Sequence, residues 1–160
     1  MAASVSPIPP RRTALHDALE AFLGTWHATG SSFGGRRQTR EAPRASPSPW
    51  TSTHSAYWHT GGFFLVQDER ASVDGGPFDT LFILGVDPDS GGGFVRSFEN
   101  HGFQRCYALR REGRVWTLDG AQERARIEFS ADGRTQIIHW EWRPQDGWLP
   151  LCDRVAVRVD

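Results

Sequence analysis

The sequence predicts an all-β protein, an antiparallel up-and-down barrel of about 8–10 strands with one short N-terminal helix. Two observations predict it: the chain is rich in large aromatic residues, with seven Trp and ten Phe, and its seventeen Gly and ten Pro divide it into short segments. Short aromatic segments between turn residues are typical of barrels and sandwiches. Because the links have hairpin length, the segments should form an antiparallel meander, and a long meander closes into a barrel.

The predicted helix precedes the first strand. Residues 1–12 combine small residues with prolines and arginines, and we expect them to be disordered. Thr13 can cap a helix in which Leu15, Leu19 and Phe22 recur at helical spacing, and Gly24 should end it. Such a helix is too short to form a domain, so it should close one end of a single barrel domain spanning residues 13–160.

The strands follow in order, separated by turn residues such as those of 74–77 and 131–133. They are predicted at 25–29, 51–60, 63–70, 78–86, two segments within 94–107, 114–119, 123–129, 135–142 and 153–159. Residues 31–49, rich in Pro, Ser and Arg, are predicted to be a mobile loop. Its four arginines fit either an anion-binding arm or a solvated loop, and the solvated loop is favoured.

Composition excludes several classes of function. A net charge of −1 gives no electrostatic basis for nucleic-acid binding. No segment approaches the roughly 20 apolar residues that a membrane span requires, and residues 1–12 lack the apolar core of a signal peptide. We therefore expect a cytoplasmic protein with no membrane partner. In that reducing compartment Cys106 and Cys152 should be free thiols. The sequence leaves a homodimer open.

The segment Leu23-Gly24-Thr25-Trp26 after a short helix resembles the opening of lipocalin-type barrels. Further matching segments make the chain similar, over residues 20–158, to uncharacterised bacterial lipocalin-like proteins of the calycin type. They include 58–63, 85–87, 98–107, 113–116, 129–133, 140–141 and 152–154. The resemblance implies the barrel fold; the family has no settled activity, so it supplies no catalytic residues. A barrel of this strand number can hold a small ligand.

Gly24-Thr25-Trp26 also resembles, more distantly, the start of nitrobindin, a haem-binding barrel. That family has a glycine where this chain has Ala28, and its iron ligand is a histidine near the C-terminus, whereas the last histidine here is His139. The histidine spacing does not match a zinc site either, and Cys-x-x-Cys is absent. No cofactor or metal is predicted, although a haem or metal barrel remains the third hypothesis for function.

The segment 94–107 is the strongest candidate for a ligand site. Its polar and aromatic residues mix on both faces, as in strands that line a cavity. Glu99, His101, Phe103, Arg105 and Tyr107 share one of these faces. The first hypothesis is therefore the binding of a small, partly apolar molecule with one polar or carbonyl end. The predicted ligand-binding residues are Tyr57, His59, Phe103, Arg105, Tyr107 and Trp140.

The second hypothesis is a cofactor-independent enzyme, such as a cyclase, isomerase or lyase. A buried histidine beside a carboxylate can act as acid or base near neutral pH. His101, His139 and Glu141 are the candidate catalytic residues, with the last two on one face of the predicted strand 135–142. The alternative is that each histidine is structural or lies on the outer wall of the barrel.

Overall fold

The computed structural model describes residues 8–160 and shows a closed antiparallel β-barrel of ten strands, as the sequence predicts. Each strand of the ring pairs with its neighbours in the chain, and the ring closes where the first strand meets the last. A two-residue strand, β4, pairs with β3 alone. The strands are β1 Gly24–Ser32, β2 Ser48–Trp58, β3 Phe64–Val73, β4 Gly76–Pro77, β5 Thr80–Val86, β6 Gly93–Glu99, β7 Gln104–Glu112, β8 Val115–Asp119, β9 Glu123–Phe129, β10 Thr135–Trp142 and β11 Leu149–Arg158.

One end of the barrel is covered by the N-terminal helix, α1, which spans Ala14–Ala18 and continues as a 3₁₀ turn over Leu19–Phe22. Leu19 and Phe22 are buried in the core. The indole N–H of Trp26, at the start of β1, donates to the Phe22 carbonyl oxygen at 3.1 Å. The helix therefore closes this end, as predicted. The predicted disordered segment 1–12 lies mostly outside the described residues, and residues 8–12 form neither helix nor strand.

Side chains alternate between the inside of the barrel and its outer wall. On β10, Gln136, Ile138 and Trp140 are buried, while Ile137 and His139 are exposed. The same alternation along the other strands fills the end of the barrel under the helix with apolar side chains. Toward the opposite end the inward residues become polar and aromatic, and there the filling is incomplete.

The predicted loop 31–49 is shorter in the structure: β1 continues to Ser32 and β2 begins at Ser48, so the irregular segment is 33–47. This segment packs across the strand ends at the open side of the barrel. Phe33 is buried, Arg44 lies 3.0 Å from Asp153, and Gln38 accepts a hydrogen bond from the Trp142 indole at 2.7 Å. Its mobility stays a prediction, which limited proteolysis with trypsin would check: first cleavage should fall at an arginine of this loop.

Candidate ligand-binding cavity

A cavity of about 480 Å³ opens at the end of the barrel away from the helix. Its lining comes from the strand ends on this side of the barrel, from the connecting segments that include Phe78, His101 and Phe103, and, deeper in the barrel, from Glu69 of β3 and Arg154 of β11. In an antiparallel barrel these strand ends meet on one side. The aromatic residues of the lining are Trp50, Phe78, Phe82, Phe103, Tyr107, Trp140 and Trp142. Most of the surface that a ligand would meet is therefore apolar.

The floor of the cavity holds a buried ion pair. Arg154 of β11 donates through Nη1 to Glu69 Oε1 of β3 at 2.7 Å, and the Ser52 hydroxyl donates to the same carboxylate oxygen at 2.9 Å. The guanidinium carbon of Arg154 lies 4.3 Å from the centre of the Trp50 ring. Each charge is offset by the other, which is the condition for burying an ion pair at tolerable cost.

A smaller cavity of about 40 Å³ lies behind this floor and shares Glu69 and Arg154 with the larger one. His54 and Gln136 also line it, and both ring nitrogens of His54 and the amide nitrogen of Gln136 have no hydrogen-bond partner in residues 8–160. A space of this size has room for water, which can satisfy such groups. Burial lowers the pKa of His54 to about 4, against the opposing effect of Glu69, so this imidazole is neutral at pH 7.

One wall of the cavity carries a second paired set of polar groups. The Tyr107 hydroxyl donates to Glu123 Oε2 at 3.0 Å, and Arg105 Nε lies 3.2 Å from Glu123 Oε1. Burial, reinforced by the Glu123 carboxylate, raises the pKa of Tyr107 well above its usual range. Tyr107 is thus a neutral phenol whose ring packs edge-on against Trp140 at 5.5 Å.

The rim of the cavity contains a histidine–carboxylate contact. His101 Nδ1 lies 2.6 Å from Glu99 Oε2, and Glu99 also accepts the backbone N–H of Phe103 at 3.0 Å and that of His101 at 3.2 Å. Burial raises the pKa of Glu99, but the hydrogen bonds from His101 and Phe103 outweigh it and leave the pKa below its usual value. In the neutral imidazole, an ionised Glu99 favours the tautomer with the proton on Nδ1, and Nε2 is then the acceptor.

Comparison with known proteins agrees with this architecture. A family model described as "Protein of unknown function (DUF1579)" matches residues 11–135, well over half of the chain. The chain belongs to the DUF1579 family. No curated protein sequence matches it.

Two solved structures share the barrel of this DUF1579 family member. The crystal structure of Rv2717c from M. tuberculosis superposes with a TM-score of 0.67 at 16% identity, covering 92% of this chain and 99% of that one. The S-type phycobiliprotein lyase CPES from Guillardia theta superposes with a TM-score of 0.52 at 14% identity, covering 93% and 94%. At these identities the comparisons establish the fold.

Five of the predicted site residues line the cavity: His101, Phe103, Arg105, Tyr107 and Trp140. The first four come from the face of 94–107 that the alternation singled out, together with Glu99. Trp140 points inward from β10. That any of these five residues contacts a ligand stays a prediction.

The structure does not bring the other four predicted residues to the cavity. His139 lies on the outer wall with Nδ1 2.7 Å from Asp153 Oδ1, and Glu141 pairs with Arg124 at 2.6 Å. Tyr57 and His59 are exposed near the end of β2 that adjoins the helix. The reason on β10 is strand alternation: once Trp140 faces inward, its neighbours on either side must face outward.

Sequence reasoning missed the residues of the floor, namely Trp50, Glu69, His54 and Arg154, and Glu123 on the wall. A charged residue on an otherwise apolar face of a strand, such as Arg154 between Cys152 and Ala156 on β11, was the available signal. An inward-facing Arg154 can be recognised only when its ion-pair partner is known, and that partner, Glu69, is 85 residues away in the chain.

Within residues 8–160, no group of three or more His, Cys, Asp or Glu is arranged to hold a metal ion. No helix in that range is long and apolar enough to cross a membrane.

Proposed function

We propose that the protein binds a small, partly apolar molecule with one polar end in the barrel cavity. The observation that carries this proposal is the cavity itself, whose volume of about 480 Å³ falls in the range of roughly 300–1,000 Å³ typical of ligand sites. Its lining combines many aromatic rings with a few buried polar groups. That composition supports a ligand that gains most of its affinity from apolar contact and its orientation from hydrogen bonds.

The charges of the lining support the same class of ligand. Glu69 is paired with Arg154, Glu123 with Arg105, and Glu99 with His101. No strong excess of either charge remains to attract a highly charged molecule. A ligand of low net charge therefore fits the cavity better than a polyanion such as a nucleotide.

The first test is native mass spectrometry of the freshly purified protein, which would reveal a retained ligand and the subunit count. The second uses two neighbouring positions on β6: Ser97→Phe fills the cavity, whereas Arg96→Phe adds the same ring on the outer wall. Ser97→Phe should abolish binding of the retained ligand and Arg96→Phe should preserve it. Equal binding by both folded variants would place the ligand outside the cavity.

The His101–Glu99 contact favours a second candidate function, acid–base catalysis on the bound molecule. A carboxylate that orients an imidazole at 2.6 Å leaves Nε2 ready to accept a proton from a group at the cavity mouth. The structural neighbour from Guillardia theta is a phycobiliprotein lyase, which supports an enzymatic use of this barrel type. An equally simple role for Glu99 is to hold the turn between β6 and β7, since it accepts two backbone N–H groups there.

The retained ligand distinguishes the two functions. After incubation with excess protein, the ligand is recovered and its mass and chromatographic retention are compared with the starting material. Conversion by the parent protein but not by His101→Gln, with binding unchanged, would support catalysis. Recovery of unaltered ligand from the parent protein would leave binding as the function.

A further inference from the structure

Two residues that line the cavity carry an N–H donor that is buried and has no hydrogen-bond partner within residues 8–160: the indole Nε1 of Trp50 and the guanidinium Nε of Arg154. Both side chains are deeply buried, with 6% and 7% of their surface exposed. They stack on each other, with 4.3 Å between the guanidinium carbon and the centre of the Trp50 ring. The two unused donors therefore lie in one corner of the cavity floor.

Buried donors without partners are costly, and such groups in folded proteins are normally satisfied by protein, water or ligand. Those of His54 and Gln136 belong to the small cavity behind the floor, where water can reach them. Trp50 lines the large cavity and not the small one. The Trp50 nitrogen has almost no accessible surface, so an acceptor entering from the large cavity would reach its N–H after a small shift of the neighbouring side chains.

The net charge around Trp50 and Arg154 limits which ligand groups can accept hydrogen bonds there. Arg154 is already neutralised by Glu69 at 2.7 Å, so the corner has donors to offer but no net positive charge. A ligand carboxylate placed here would lie close to Glu69 in a medium of low dielectric, where like charges repel strongly. An uncharged oxygen avoids that repulsion and still accepts the two hydrogen bonds.

We infer that the Trp50–Arg154 corner binds an uncharged carbonyl oxygen of the ligand, as in a ketone, ester or amide. The apolar part of the ligand then lies against the aromatic residues nearer the mouth, among them Phe78 and Trp142. This inference rests on the proposed binding function and adds to it the chemical class of the polar end and its position.

The test is calorimetric titration of the full chain at pH 7 with three probes that share one ring system: 2-acetylnaphthalene, 2-ethylnaphthalene and 2-naphthoate. The ketone should bind with a Kd roughly tenfold below that of the hydrocarbon, as expected for one or two net hydrogen bonds. The naphthoate should bind more weakly than the ketone because its charge faces Glu69.

Trp50→Phe provides the matched variant, since it removes the N–H and keeps an aromatic ring over Arg154. It should reduce the preference for ketone over hydrocarbon by roughly threefold or more. Trp58→Phe is the control: it also removes an indole N–H, but Trp58 is the last residue of β2, near the helix, and is not part of the cavity lining. Its ketone preference should equal that of the parent.

NMR of the parent protein tests the same contact without depending on the folding of the Trp50→Phe variant. The indole N–H resonance of Trp50 should move downfield when 2-acetylnaphthalene binds and should not do so with 2-ethylnaphthalene. Tightest binding of the naphthoate, or equal binding of all three probes with a stationary Trp50 resonance, would overturn the inference and leave the proposed function standing. If none of the three probes binds, the inference fails, whereas the proposed function is decided by the comparison of Ser97→Phe with Arg96→Phe, using the retained ligand.

Discussion

His54 should make the fold sensitive to mild acid. Its ring is buried, stacks on Trp26 with 6.1 Å between ring centres, and has no partner for either nitrogen in the described part of the chain. Burial lowers its pKa from 6.5 to about 4; Glu69, 3.9 Å away, raises it and Arg154 lowers it further. A histidine that is neutral when folded stabilises the fold fully above pH 6.5, and this contribution is lost as the pH falls toward 4.

The size of the effect follows from the two pKa values. The difference between the pKa of His54 in the unfolded and the folded protein corresponds to roughly 3 kcal/mol of the free energy of unfolding. Of this contribution, about 2.5 kcal/mol should be lost by pH 4.5. Acids with lowered pKa, such as Glu99 and Asp153, lose their contribution only at lower pH, below the ordinary values of 4.5 and 3.8. The pKa of His16 is also lowered, by burial and by Arg12, so it adds to the loss in the same window.

The measurement is the free energy of unfolding by urea from pH 7.5 to 4.5 for the parent and for His54→Phe. Phe preserves the aromatic contact with Trp26 and cannot take up a proton. The variant should be less sensitive to pH by about 2.5 kcal/mol across this range, while the contribution of His16 cancels in the comparison. Parallel curves for the two proteins would refute the assignment of His54 as a buried, neutral imidazole.

Three further predictions concern the core, the floor and the thiols. Trp26→Ala should lower the free energy of unfolding by about 3–5 kcal/mol, because Trp26 is fully buried beneath the helix; an unchanged melting temperature would contradict this. Glu69→Gln should cost roughly 3–5 kcal/mol by leaving Arg154 uncompensated, and the double variant Glu69→Leu, Arg154→Met should recover most of it; equal losses would contradict the ion-pair argument. Burial raises the pKa of Cys152 to about 11, so at pH 8 a disulfide reagent should modify exposed Cys106 first, and equal rates would show that Cys152 is not buried.

The fold could be predicted from the sequence because it depends on local signals. Strict alternation placed Ala125, Ile127 and Phe129 on one face of β9, and all three are buried in the barrel. Turn residues predicted where the hairpins lie, and the periodicity of Leu15, Leu19 and Phe22 predicted the helix. The face of 94–107 that lines the cavity was predictable for the same reason, since alternation continued across its turn.

The floor of the cavity could not be predicted because it depends on contacts between distant segments. On β11, hydrophobicity alone would place the valines inside, yet Val155 and Val157 are 45% and 48% exposed. Arg154 faces inward because Glu69 lies opposite it across the barrel. An inward arginine is unfavourable without that carboxylate, and no local pattern reveals which distant residue provides it.

The helix that covers one end of the barrel also affects how an occupant would be exchanged. In the part of the chain that the structure describes, Leu19, Phe22 and Trp26 fill that end, so a ligand would enter and leave the cavity at the opposite end of the barrel. A second ligand molecule cannot reach the bound one from the helix end, so the bound ligand must dissociate before the second one enters. The rate of release measured by displacement should then be independent of the concentration of the displacing molecule.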